Sequence, residues 1–108
     1  MTYVKVVRKR GKIHSLSCQG HTGYGVQGED IVCAALSSVV QTALLGLLQV
    51  AGIAVEFDRC DEEGSLSFSL PDDLSAEQAH DADIILSTMW AGVMDLHEGF
   101  SDFIEVED

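Results

Sequence analysis

A long uncharged stretch, from Ile31 to Val55, limits the folds open to this chain. It is long enough to cross a lipid bilayer as a helix. However, serine, threonine and glutamine side chains interrupt it, and acidic residues flank it where a membrane span would carry lysine or arginine. We therefore predict that residues 30–51 form the buried central helix of a globular domain and that the chain has no membrane partner.

Apolar side chains cover most of the circumference of this predicted helix, so it should be buried on more than one side. We expect one side to pack on a sheet and the other to meet a second helix or a second subunit. Asp30 suits the N-cap, because its carboxylate can accept hydrogen bonds from the next backbone amides. Gly52 suits the C-terminal end of the helix.

Strand patterns and a second helix surround the central helix. Residues 65–70 alternate leucine or phenylalanine with serine, which predicts a strand with one buried face. Ser75 and Gln78 form a candidate capping box for a helix that reaches about His97. Further strands are predicted at residues 2–8, 12–19, 53–58 and 100–107. The predicted fold is one α+β domain over residues 1–108, a two-layer α/β sandwich of order ββαββαβ with two helices and a mostly antiparallel sheet.

Acidic residues dominate the charge of the chain. There are 18 aspartates and glutamates against 6 lysines and arginines, for a net charge of −12. This balance argues against direct nucleic-acid binding, which needs a positive surface to meet phosphate. It would suit a basic protein partner through long-range electrostatic steering. An ordinary acidic surface without such a partner accounts for the charge equally well.

The cysteines and the N-terminal residues indicate the cellular compartment in which we expect the protein. Three cysteines, at positions 18, 33 and 60, form no Cys-x-x-Cys pair. An odd number at these spacings does not indicate a disulfide framework and favours a reducing cytosol. The N-terminus is strand-like before it is basic, which is the reverse of a signal peptide. We therefore expect a cytoplasmic protein.

A glycine-rich segment precedes the central helix. Its four glycines permit positive φ angles and movement, so we predict a mobile loop carried by Gly20, Gly23, Gly25 and Gly28. The last three satisfy the dinucleotide pattern G-x-G-x-x-G between a strand and a helix. Against a nucleotide, Glu29-Asp30 places negative charge where a pyrophosphate would bind, and the repeated βαβ units of that fold are lacking. We therefore expect no cofactor.

His21 and Cys33 could form a nucleophile and a base. If Asp30 is the N-cap, Cys33 is the third helical residue and lies among unpaired amides at the positive end of the helix dipole. That position favours the thiolate, which is the attacking form of cysteine. His21 could accept the thiol proton and later protonate a leaving amine. The same amides could bind the oxyanion of a tetrahedral intermediate.

Two alternative roles for these residues stay open. A lone cysteine in an apolar helix is usually a small buried hydrophobic residue without chemistry. A zinc site is the second alternative, although the H-x3-C-x2-H spacing is not a standard pattern and we expect no metal. The four side chains that could form such a site are His14, Cys18, His21 and Cys33.

Two residues near Cys33 could support it. Asp30 could only cap the helix or could also orient His21. Ser37 lies one turn after Cys33 on the same helix face. Its hydroxyl could donate a hydrogen bond near the nucleophile or could bond back to the helix.

A family signature surrounds His21 and Cys33. Gly20-His21, a loop containing Gly28, then Asp30-Ile31-Val32-Cys33-Ala34-Ala35 and Ser37, resemble the ribosomal-processing cysteine protease family, Prp. Only this segment is specific, although length and element order agree over nearly the whole chain. Glu29 departs from the pattern, since a basic or neutral residue is common there.

The resemblance implies a small cytoplasmic bacterial endopeptidase, homodimeric, of α/β sandwich form. It implies a substrate, the basic large-subunit ribosomal protein number twenty-seven, from whose precursor a short N-terminal extension is removed. It also implies Cys33 as nucleophile, His21 as base, Asp30 and Ser37 near the site, and a mobile loop between His21 and Cys33. The rival hypothesis is a non-enzymatic ribosome-assembly factor that binds a basic ribosomal protein.

Overall fold

A computed structural model describes residues 1–20, 29–60 and 64–108, except for the side chains of Glu29 and Asp30. The elements follow the predicted order ββαββαβ. They are β1 (Thr2–Lys9), β2 (Lys12–Gly20), α1 (Glu29–Leu45), β3 (Glu56–Cys60), β4 (Ser65–Ser69), α2 (Ala76–Gly99) and β5 (Ile104–Glu107).

The five strands form one mixed sheet in the order β3-β4-β2-β1-β5. Only β1 and β5 pair in parallel; the remaining described pairs are antiparallel. Buried strand residues alternate with exposed ones, because successive side chains point to opposite faces of a sheet. The buried face packs with α1 and α2 into one core, which confirms the predicted two-layer α+β sandwich.

The central helix is a core helix, as predicted. A stretch within it, Ile31–Val50, is long and apolar enough to cross a bilayer by composition. However, Leu36, Val40 and Leu47 are completely buried in the core. Burying each such side chain stabilises the fold by about 1.5–3 kcal/mol. A π-helical turn at Gly46–Val50 extends α1 towards Gly52, whose φ of 66° allows the chain to leave the helix.

The structure confirms the predicted cap of α2 and shifts the predicted starts of β3 and β5. The capping box at Ser75 is confirmed, since its side chain accepts from the Gln78 amide and the Gln78 side chain accepts from the Ser75 amide. The strand predicted at 53–58 is β3, which runs from Glu56 to Cys60 because its pairing with β4 starts at Glu56. The strand predicted at 100–107 begins at Ile104, because a turn closed by the Phe103 amide and the Phe100 carbonyl precedes it.

Candidate active site

Cys33 lies where the start of α1 meets the end of the sheet. Its partly buried side chain reaches the point where Thr2 of β1 pairs with Gly20 of β2. A cleft of about 230 Å³ opens beside it, walled by α1 and by the ends of β3 and β4. Ser37 and Arg59 also line this cleft. The thiol of Cys33 is therefore accessible from a cavity rather than enclosed in the core.

The hydroxyl of Thr2 touches the thiol. Thr2 is only 1% exposed, and its Oγ1 atom lies 3.1 Å from Cys33 Sγ. Its backbone amide donates to the Phe103 carbonyl at 2.8 Å, which ties the start of β1 to the segment before β5. Sequence reasoning did not single out Thr2. The available signal was its alternation with Val4 and Val6, which put a lone hydroxyl on the buried face of a strand.

The prediction that Gly20 belongs to the mobile loop is wrong. Gly20 is the buried last residue of β2, and its amide donates to the Gly64 carbonyl at 2.8 Å. A Cβ atom added there would lie 2.6 Å from Cys33 Sγ, closer than such atoms approach in real structures. Glycine at this position leaves room for the thiol in its present place, and a larger residue would require the thiol to shift.

Several predicted site residues are not among the residues that the structure describes. His21, Gly23, Gly25 and Gly28 are outside the described residues, and so is the side chain of Asp30. The His21–Cys33 pair and the mobile loop at Gly23, Gly25 and Gly28 stay predictions.

The helix start differs from the predicted one. Because α1 begins at Glu29, Asp30 is the second helical residue rather than the N-cap, a shift within the usual scatter of helix ends. Cys33 is then the fifth helical residue instead of the third. The stabilisation of a negative charge by the helix dipole falls off within the first turn. The groups that touch the thiol therefore matter more to its chemistry than the dipole does.

Ser37 belongs to a chain of polar contacts along the cleft wall. Its Oγ accepts a hydrogen bond of 2.7 Å from Gln41 Nε2, one turn further along α1. Gln41 Oε1 in turn accepts from Arg59 Nη1 of β3 at 3.3 Å. Arg59 and Gln41 are residues that sequence reasoning missed, because the partner on β3 is distant in sequence. Of the two roles left open for Ser37, the bond back to the helix is not formed among the described residues.

The remaining cysteines and histidines have different environments. Cys18 is 8% exposed, and burial together with the neighbouring Cys33 raises its pKa to about 11. Cys60 lines the same cleft as Cys33. His97 donates from Nδ1 to the Ile104 carbonyl at 2.9 Å and joins α2 to β5. No group of three potential metal ligands occurs among the described residues, which do not include His21.

Known proteins resemble this chain over its whole length. A family model described as cysteine protease Prp matches residues 1–105. The chain is 26% identical over 94 residues to the ribosomal processing cysteine protease Prp of Bacillus subtilis (strain 168), which covers 87% of this chain and 84% of that protein.

Two crystal structures of an essential ribosomal processing protease Prp from S. aureus share the fold. The complex with a substrate peptide has a TM-score of 0.88 at 23% identity and covers all of both chains. The complex with a covalently linked product peptide has a TM-score of 0.81 at 25% identity and covers 99% of this chain and 98% of that one.

The three thiols should differ in reactivity. We expect iodoacetamide, at mildly acidic to neutral pH, to modify Cys33 fastest and Cys18 slowest, because Cys18 is buried and its pKa of about 11 keeps it protonated. Mass spectrometry of peptides from a time course measures the three rates. Denaturing the protein in urea should make the rates similar. Equal rates in the folded protein would mean that Cys33 is an ordinary core thiol.

Proposed function

The chain belongs to the cysteine protease Prp family, and we propose that it removes the N-terminal extension of a bacterial large-subunit ribosomal protein, number twenty-seven, with a Cys33–His21 dyad. Its relatives are peptidases, so the non-enzymatic assembly factor is not retained as an alternative. The observation that carries the proposal is the partly exposed Cys33 thiol at a cleft of about 230 Å³.

The proposed reaction uses Cys33 as the nucleophile. His21 takes the proton of the thiol, and Sγ attacks the carbonyl carbon of the scissile bond. The tetrahedral intermediate collapses as His21 passes the proton to the leaving amine, which leaves a thioester on Cys33. Water, deprotonated by His21, then attacks the thioester and restores the thiol. Thr2 supports this role, since its hydroxyl contacts Sγ on the side of the sheet.

The substrate assignment rests on family and charge. The Bacillus subtilis relative is named for ribosomal processing. The net charge of −12 suits a basic ribosomal protein, because opposite charges accelerate encounter. We place the reaction in the cytoplasm, where such precursors are made.

We further propose a homodimer, formed through the outer faces of α1 and α2. A groove of about 470 Å³ runs between the helices and contains no charged lining residue. At this surface Ile84 is 54% exposed, and on α1 Leu45 is 51% exposed. The hydroxyls of Thr42 and Thr88 are bonded to helix carbonyls, so burial of this face would leave neither of them unpaired.

Removing either member of the proposed dyad should abolish cleavage. We expect Cys33→Ala and His21→Ala to leave the extended precursor intact, with the far-UV circular dichroism of the wild type. Mass spectrometry of the precursor after incubation detects the loss of the extension. His80→Ala, which changes an exposed histidine on α2, is the matched control and should cleave normally. Cleavage by Cys33→Ala would rule out this mechanism.

Filling the space beside the thiol should slow cleavage. Gly20→Ala would push Cys33 Sγ from its place, and misplacing a reacting group by about 1 Å can cost on the order of 10²-fold. We expect kcat/KM on a short peptide to fall by about that factor. Gly99→Ala is the control, since nothing lies within 4 Å of its added Cβ. Wild-type activity in Gly20→Ala would show that cleavage does not depend on the position of Cys33 Sγ beside Gly20.

The proposed dimer can be broken with one charge. Ile84→Glu would bury a carboxylate in the uncharged face, so we expect the molar mass from light scattering to drop to that of one chain. Val7→Glu places the same charge at a 46% exposed position on the other face of the sheet and should leave the mass unchanged. A wild-type chain that is monomeric at all concentrations, or an unchanged mass for Ile84→Glu, would refute the interface.

A further inference from the structure

The polar chain on the cleft wall has a defined direction. A guanidinium group only donates hydrogen bonds, so the atom of Gln41 next to Arg59 must be its carbonyl oxygen. The amide nitrogen of Gln41 then faces Ser37 and can only donate. Ser37 Oγ is therefore the acceptor in this bond, and its own hydrogen is left for another partner.

The hydrogen of Ser37 is not used within the helix. Thr42 and Thr88 donate to the carbonyls one turn earlier, at 2.7 Å in both cases. Ser37 makes no such bond in the part of the chain that the structure describes. It lines the cleft on the same helix face as Cys33, one turn away. An acceptor that enters the cleft can therefore receive this hydrogen.

We propose that Arg59 and Gln41 are positioning residues that hold the Ser37 hydroxyl as a hydrogen-bond donor to the carbonyl oxygen of the scissile peptide bond. Negative charge develops on that oxygen when Sγ attacks, and a fixed donor stabilises it more in the transition state than in the ground state. This inference rests on the proposed cleavage at Cys33. It adds two residues that do not touch the reacting atoms and that act through Ser37.

A chain that only joins α1 to β3 would behave differently. Its loss would lower the free energy of unfolding and leave kcat nearly unchanged. A donor held by the chain makes the opposite prediction, namely a loss in kcat with little change in stability or KM. The two roles are therefore separated by kcat and thermal stability measured on the same variants.

The decisive variant is Gln41→Glu. A carboxylate has nearly the shape of the amide and still accepts from Arg59, but it cannot donate. Ser37 must then donate to residue 41, so its hydrogen is withdrawn from the cleft. We expect kcat on a peptide that spans the cleavage site to fall by about 10²-fold, a typical loss for one such donor, with an unchanged melting temperature.

The added negative charge needs its own control. In a Ser37→Ala background, Gln41→Glu should cause no further loss, because the hydroxyl through which it acts is gone. A repulsive effect of the charge on the thiolate would persist in that background. Gln49→Glu, which makes the same change at a position outside the cleft, should keep wild-type kcat. Single-turnover conditions with excess enzyme keep the slow variants measurable.

Each outcome decides one question. No cleavage by the wild-type protein would refute the proposed function. Cleavage by the wild type, with Gln41→Glu equally active, would refute only the role of the chain. An equal loss from Gln41→Glu with and without Ser37 would also refute it, because the effect would not pass through the hydroxyl. A loss seen only when Ser37 is present supports the proposal.

Discussion

The contact between the Cys33 thiol and the end of the sheet governs the arrangement around the cleft. A sulfur atom can lie over the paired residues Thr2 and Gly20 because one of them has no side chain and the other presents a hydroxyl. Leu36 and Leu44 of α1 are buried in the core, and their packing anchors the helix that carries Cys33. The Cys33 thiol is thus held by the same packing that stabilises the domain, and Gly20 provides space for it.

Local patterns were enough to predict much of the fold. The serine–apolar alternation of β4, the capping box at Ser75 and the uncharged central helix each depend on neighbours within a few residues, and the structure confirms all three. What failed depends on distant partners. The start of β3 is set by its pairing with β4, and the place of Gly20 in a strand is set by Thr2 and Gly64.

The site divides in the same way. Cys33 and Ser37 share one face of α1, a relation that helical spacing predicts. The bond from Gln41 to Ser37 also follows from that spacing, whereas Arg59 and Thr2 join them only through the tertiary fold. Cys18 and Cys33 line the same cleft, but Cys18 is the more deeply buried of the two. Burial is the main cause of the raised pKa of Cys18, and the sequence alone does not show it.

The parallel pairing of β1 with β5 has a consequence for the order of folding. The amide of Thr2 bonds to the Phe103 carbonyl, and Thr2 pairs with Ile104, so nearly the whole chain separates the partners of this contact. Contacts between such distant residues carry a large loop-closure cost and tend to form late. During synthesis, the contacts of Thr2 with Phe103 and Ile104 can form only after β5 has emerged from the ribosome. The pairing that fixes the backbone of Thr2 beside the Cys33 thiol is therefore completed later than the β1–β2 hairpin, whose partners are close in sequence.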